Sequence, residues 1–274
     1  MKYIHHLAID EPTLPKAQFH ELYQLKPEGR RATGFRIDAV SRQPDGDEFI
    51  RHALEILKTN GVPRRVHSSA TSYGHTVTRL YEEIELKEAE FLVLTCRVVA
   101  RTGVIDGRAV LAADPAYRLT SVLNFTRPVV VSDEVRQLLK GGMLVGLEFG
   151  AAPLNPDPDC NWGRIPGPFW EIQSSIALPK MSNTHQFVHP GRTQTEPFRG
   201  DYSKIIMISD PPFSKGEVRY RREDIDALAS FDIARTFEKH MNPYPALVVS
   251  QRFYQYCLAN GIGLSADPVR IDPE

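Results

Sequence analysis

Apolar and polar residues alternate with a period of two over Gly34 to Val40, where Phe35, Ile37 and Ala39 face one way and Arg36 and Asp38 the other. That spacing predicts a half-buried strand. Lys2 to Ile9 predicts a second strand, with charged, proline-punctuated sequence between the two. From Asp47 to Asn60 the period lengthens: Phe49, Ile50, Ala53, Leu54 and Leu57 make one apolar stripe, as an amphipathic helix requires. Asp45 or Asp47 can cap its start, and Gly61 followed by Pro63 stops it. Thr71 to Tyr81 then reads as an edge strand, Ile84 to Glu90 as a short helix, and Phe91 to Ala100 as a strand covered on both faces.

A pattern further along the chain occurs twice. Thr126 to Phe149 and Asn242 to Ile271 each read strand, serine, helix, glycine, strand. Aligning Val130-Val131-Ser132 with Val248-Val249-Ser250 puts Val135 on Phe253 and Leu139 on Cys257. After a one-residue gap, Gly146-Leu147 falls on Gly263-Leu264. Ser132 and Ser250 are expected to cap the two helices by accepting from free N–H groups of the first turn. Gly141 with Gly142, and Gly261 after Asn260, are expected to end them in a positive-φ conformation. If each pair of flanking strands shares a sheet, its two strands run parallel.

Between the copies, the proline-rich stretch Ala151 to Pro168 excludes helix and central strand. Phe169 to Leu178 restores a strand pattern, and Pro179 to Gly200 is long, polar and loop-like. Lys204 to Ser209 and Glu217 to Arg222 flank turn residues and predict a hairpin. The fold class expected is α+β, with two packed mixed modules: 1–115, and 116–274 carrying the repeat. With the repeat read as scaffold, the unduplicated residues Ala151 to Gly200 become the place to expect function.

Composition narrows the function classes. In 274 residues the apolar share is 42% and the charged share 24%, and no stretch approaches the roughly 18 apolar residues of a spanning helix. The N-terminus lacks the apolar run of a signal peptide, so a cytoplasmic protein is expected. Three scattered cysteines, Cys96, Cys160 and Cys257, give neither a disulfide framework nor a paired-cysteine zinc site. A net charge of −1 gives no general pull towards nucleic acid or an anionic membrane.

Candidate chemistry is sparse. His185 and His189 have the i, i+4 spacing of two metal ligands on one helical face, but Pro190-Gly191 follows and no glutamate lies between them. They read as loop histidines, with a metal-dependent hydrolase as the alternative; His5, His6 and His240 could join only through the fold. Arg219, Arg221 and Arg222 around Tyr220 resemble a nucleic-acid patch, yet Glu217, Glu223 and Asp224 neutralise it, and a charged edge strand is the preferred reading. The acidic run Glu82 to Glu90 reads as a solvated helix face. No phosphate loop or Gly-x-Ser-x-Gly elbow occurs, so no cofactor and no catalytic residue is assigned. Trp162 and Arg164 are residue types favoured at interface centres, placed in a loop, although a tryptophan is more often tucked into the core.

The phrases VVVSDEVRQLLKGGMLVGLEF and ALVVSQRFYQYCLANGIGLSADPV, with FDIARTFEKH ahead of the second, resemble the double-CxxCG-type immunity proteins of bacterial polymorphic toxin systems and their relatives. The likeness covers Thr126 to the C-terminus. It implies a protein-binding module that occludes a cognate toxin. Trp162, Arg164, His185 and His189 are the candidate partner contacts. One departure is plain: neither CxxCG pair is present, and the region around Asn183 to Thr195 holds histidines and no cysteine.

Overall fold

The computed structural model describes residues 1–10, 13–31, 34–62, 73–95, 101–105, 108–112, 122–124, 129–152, 168–182, 187–188, 205–208, 216–240 and 245–273. The fold is α+β. The chain divides into two compact units that meet at Glu82 and Glu83, well before residue 115.

The first unit contains β1 (Lys2–Asp10), α1 (Lys16–Leu25), β2 (Arg30–Arg31), β3 (Gly34–Ser41), α2 (Glu48–Thr59) and β4 (Tyr73–Leu80). Its sheet is antiparallel in the order β2-β3-β1-β4, which leaves β4 at the edge as its sequence predicts. Leu7, Ile9, Phe35 and Ile37 point from one face into a core closed by Phe19 and Leu22 of α1 and Ile50, Ala53 and Leu57 of α2. Asp47 caps α2, its carboxylate accepting from the Ile50 N–H, and Gly61 follows at φ 64°. Helix α1 lies in the charged, proline-punctuated stretch between the first two predicted strands. Pro15 sits just before its first residue, where a missing N–H costs nothing, so proline here opens a helix instead of punctuating a loop.

The second unit contains α3 (Glu83–Glu88), β5 (Phe91–Leu94), the hairpin β6 (Arg101–Ile105) and β7 (Arg108–Ala112), and β8 (Val122–Asn124). The first repeat follows as β9 (Val129–Ser132), α4 (Asp133–Gly141) and β10 (Glu148–Ala152). Beyond it come β11 (Phe169–Gln173), β12 (Phe187–Val188), β13 (Ile205–Ile208), β14 (Arg219–Arg221), α5 (Arg222–Asp226), β15 (Ile233–Arg235) and β16 (Lys239–His240). The second repeat is β17 (Leu247–Ser250), α6 (Gln251–Ala259) and β18 (Ala266–Pro268), and β19 (Arg270–Asp272) ends the chain. Among the described residues no helix is long and apolar enough to cross a membrane.

Two sheets of this unit are built alike. One has the order β8-β9-β11-β10 and the other β15-β17-β5-β18, every neighbouring pair antiparallel. In each copy, then, the strands flanking the repeat helix do share a sheet and run parallel, with one foreign strand between them. The registers coincide as well. Phe169 lies opposite Ser132 as Phe91 lies opposite Ser250; Ile172 lies opposite Phe149 as Leu94 lies opposite Ala266; Leu123 lies opposite Val130 as Ala234 lies opposite Val248.

The duplication therefore reaches further than the strand-helix-strand pattern. β5 and β11 are equivalent, so the stretch Ala151 to Gly200 is not wholly unduplicated: its Phe169–Gln173 strand is the counterpart of Phe91–Leu94. β5 precedes the first copy in the chain but completes the sheet of the second. Leu92, Leu94, Val129, Val131, Ile172 and Val249 from the two sheets bury one common core with Val135 and Leu139 of α4 and Phe253 and Cys257 of α6.

The expected hairpin of Lys204–Ser209 with Glu217–Arg222 does not form. β13 pairs with β12 and β16, whereas β14 runs parallel to β19, an edge where Tyr220 is fully buried. Turn residues signal a change of direction, but they do not say which sheet edge the next strand will take.

Candidate functional site

The four candidate contacts taken from sequence, Trp162, Arg164, His185 and His189, lie outside the described residues, and so does the side chain of His240. The other candidates are placed. His5 faces the core of the first unit and shares a 3.2 Å hydrogen bond with His75. Burial lowers the His5 pKa, because the charged ring loses more solvation than the neutral one. His6, on the opposite face, bonds Asp38 and Thr78. Among the described residues no group of three or more His, Cys, Asp or Glu side chains is placed to hold a metal.

The arginine cluster of β14 is internally neutralised. Arg219 contacts Glu217 and Asp272, Arg221 contacts Glu223, and Arg222 contacts Glu90 and Asp226. Burial pushes the Cys257 thiol up to about 12, so it is a packing group and not a nucleophile.

The repeat supplies a sharper candidate. Both serines cap as expected: Ser132 accepts from the Val135 N–H and Ser250 from the Phe253 N–H. The helix C-termini, however, are finished differently. In the second copy Gly261 takes the left-handed conformation at φ 67°, and the Ile262 N–H reaches back to the Cys257 carbonyl. In the first copy neither Gly141 nor Gly142 is left-handed; Gly141 is the last helical residue and Gly142 continues at φ −75°. The residue at φ 48° is Met143. Counting on without a gap from Leu139 and Cys257, Met143 falls on Gly261. The next residues, Leu144 and Ile262, are both buried.

A methionine at a position where the same fold elsewhere uses glycine carries a strain of about 1 kcal/mol. Its side chain does not recover that cost in the core, because it is 83% exposed. The surrounding loop is nevertheless held firmly. Arg252 donates to the Gly142 carbonyl, Tyr256 donates to the Leu138 carbonyl at 2.6 Å, and the Tyr256 ring packs so close to Gly142 that a Cβ there would meet it at 2.9 Å. Val145 N–H donates to the buried Asp232 carboxylate at 2.9 Å, and the Val145 carbonyl accepts from Asp232 and Ile233. Leu138 on the last turn of α4 (37% exposed) and Val145 (44%) extend the apolar surface beside Met143. The result is a rigid loop that presents a flexible, polarisable side chain to solvent, the kind of group that adapts to a partner surface.

No signal in the isolated first copy marks Met143. It emerges only when the second copy is laid over it with the backbone angles in hand. Comparison of the chain with family models, curated proteins and solved structures returns no match.

Proposed function

We propose that the chain is a non-catalytic protein-binding module, an immunity protein that neutralises a cognate bacterial toxin by covering its active surface. The observation that carries the reading is Met143: strained, exposed and rigidly mounted at a position where the internal duplicate has glycine. Folding alone does not account for that side chain, and partner contact does. Leu138, Met143 and Val145 form the apolar centre, with Lys140 nearby in sequence for a polar rim. A stable complex needs about 800 Å² on each side, so the loop is the anchor of a larger contact. In this reading the protein works in the cytoplasm, where Cys257 stays reduced.

The test is co-expression with the toxin encoded beside it. Growth protection and a stable complex on size exclusion are expected from the unaltered chain. Met143→Glu should abolish both, and Met143→Gly, which preserves the backbone conformation, should weaken the complex about tenfold. Protection that survives both substitutions, or no complex at all, overturns the reading.

A further inference from the structure

The two duplicated sheets meet around a cavity of about 210 Å³. Its apolar floor comes from equivalent positions of the two copies, Val129 with Leu247 and Ile172 with Leu94, as the shared registers require. The polar groups at its mouth break that equivalence. Glu148 on β10 and Glu171 on β11 bring carboxylates from one sheet, and Arg235 at the end of β15 brings a guanidinium from the other. Their counterparts by register, Ser265, Val93 and Asn124, carry no charge. The floor is thus common to the two copies, and each charge is particular to one of them.

The carboxylates and the guanidinium are not occupied with each other. Glu148 accepts from the Ser175 hydroxyl and Glu171 from the Gln173 amide. The backbone of Arg235 is fixed, its N–H on the Ile176 carbonyl and its carbonyl on the Leu178 N–H, and among the described residues its guanidinium makes no ion pair. Glu171 is half-buried, and burial raises its pKa, so a cationic group beside it would restore lost solvation. A bare amine would meet repulsion from Arg235, and a bare carboxylate repulsion from Glu148 and Glu171. A small molecule carrying both charges on an apolar body matches the floor and the charges at the mouth of the cavity, which is smaller than the roughly 300–1,000 Å³ typical of drug-sized ligands.

We propose that this cavity binds a free α-amino acid with a branched apolar side chain: its ammonium on Glu148 and Glu171, its carboxylate on Arg235, its side chain on the floor of Leu94, Val129, Ile172 and Leu247. The site is separate from the Met143 loop and does not depend on the function proposed for that loop.

Calorimetric titration of the full chain with L-leucine, L-isoleucine and L-valine tests it, with isopentylamine and isovalerate as probes that each lack one charge. Saturable binding of at least one amino acid is expected, with about tenfold weaker binding of the amine and of the acid. Arg235→Ala, at an exposed side chain, should lower amino-acid affinity about tenfold while leaving the isopentylamine titration no weaker; Glu171→Gln should likewise lower amino-acid affinity while leaving the isovalerate titration no weaker. The proposal is overturned if no amino acid binds saturably, if either single-charge probe binds as tightly as the amino acids, or if Arg235→Ala leaves amino-acid affinity unchanged. Should Glu171→Gln fail to fold, the Arg235→Ala titration decides alone.

Discussion

The two copies of the repeat solve one packing problem with different residues, and each acts as a control for the other. Both run a Val-Val-Ser strand into a capped helix, bury one helix face in the same core and send out a parallel strand two places away. They differ in what holds the two ends of the helix. In the second copy Ser250 caps α6 and also donates to Asp232, a buried carboxylate that in addition receives Arg252 and the Val145 N–H of the first copy. In the first copy Ser132 caps alone, while Asp133 next to it receives Arg136 and the Trp170 indole, with Arg136 lying over the Trp170 ring at 3.5 Å. One copy thus builds its cap inward, into the contact between copies, and the other builds it outward. The C-termini make the same contrast, with Gly261 left-handed at one and Met143 at the other. Positions that differ while the backbone stays the same separate what the fold demands from what it merely permits.

The strongest way to break the comparison is Asp232→Ala. It leaves the Val145 N–H and the Ser250 hydroxyl without their buried acceptor, and the expected loss is about 3 kcal/mol, measured by denaturant midpoint with tryptophan fluorescence as the probe. The caps come next. Ser250→Ala is expected to cost about 2 kcal/mol and Ser132→Ala about 1 kcal/mol. That difference should vanish in the Asp232→Ala background if it arises from the Ser250–Asp232 bond. Equal costs in the unaltered chain would show that the second copy gains nothing from its inward cap.

Exchanging the left-handed residues has a smaller effect. Gly261→Met should lose about 1 kcal/mol, and Met143→Gly should gain about 0.5 kcal/mol, since the greater freedom of glycine in the unfolded chain offsets part of the strain relieved. A loss of stability in Met143→Gly would mean that the methionine side chain supports the fold and would remove the argument for a binding role.

The smallest effect concerns Glu238, between β15 and β17, in a stretch that has no counterpart ahead of β9. Its carboxylate is fully buried; one oxygen accepts from the Met181 N–H and the other, like the Tyr220 hydroxyl, has no partner among the described residues. Burial raises its pKa above the ordinary 4.5, so folding favours the protonated form. Stability from this group is full below pH 4.5 and is lost as pH rises through the raised value. Glu238→Gln should remove that decline and gain about 0.5 kcal/mol at pH 8, read as a flatter profile of midpoint against pH.

Much of the local structure was legible. Strands β1, β3 and β4, helix α2 with its Asp47 cap, and the serine caps of α4 and α6 follow from periodicity and cap chemistry, which act over a few residues. Even the alignment of the copies at Val130 and Val248 agrees with the register of their sheets. The misses lie where one residue type has two uses. Pro15 opens a helix as readily as it ends one, and the glycines at 141 and 142 look like a left-handed stop when Met143 is the residue that makes the turn. The site was hardly legible at all. The sequence candidates fall outside the described residues, and Met143 and the cavity each need two distant segments superposed before they can be seen.

Sequence alone determined that this chain contains one strand-helix-strand unit twice, because period, cap and helix stop are written within about 25 residues of each other. Tertiary structure decided that β5, which precedes the first copy, completes the sheet of the second, and that β11 fills the same place in the first. Strand exchange of that kind leaves no local trace: both strands carry an apolar pattern that fits either sheet, and long-range pairing, shape and burial select between them. From that choice come the common core, the cavity between the sheets, and the position at which an exposed methionine stands in place of glycine.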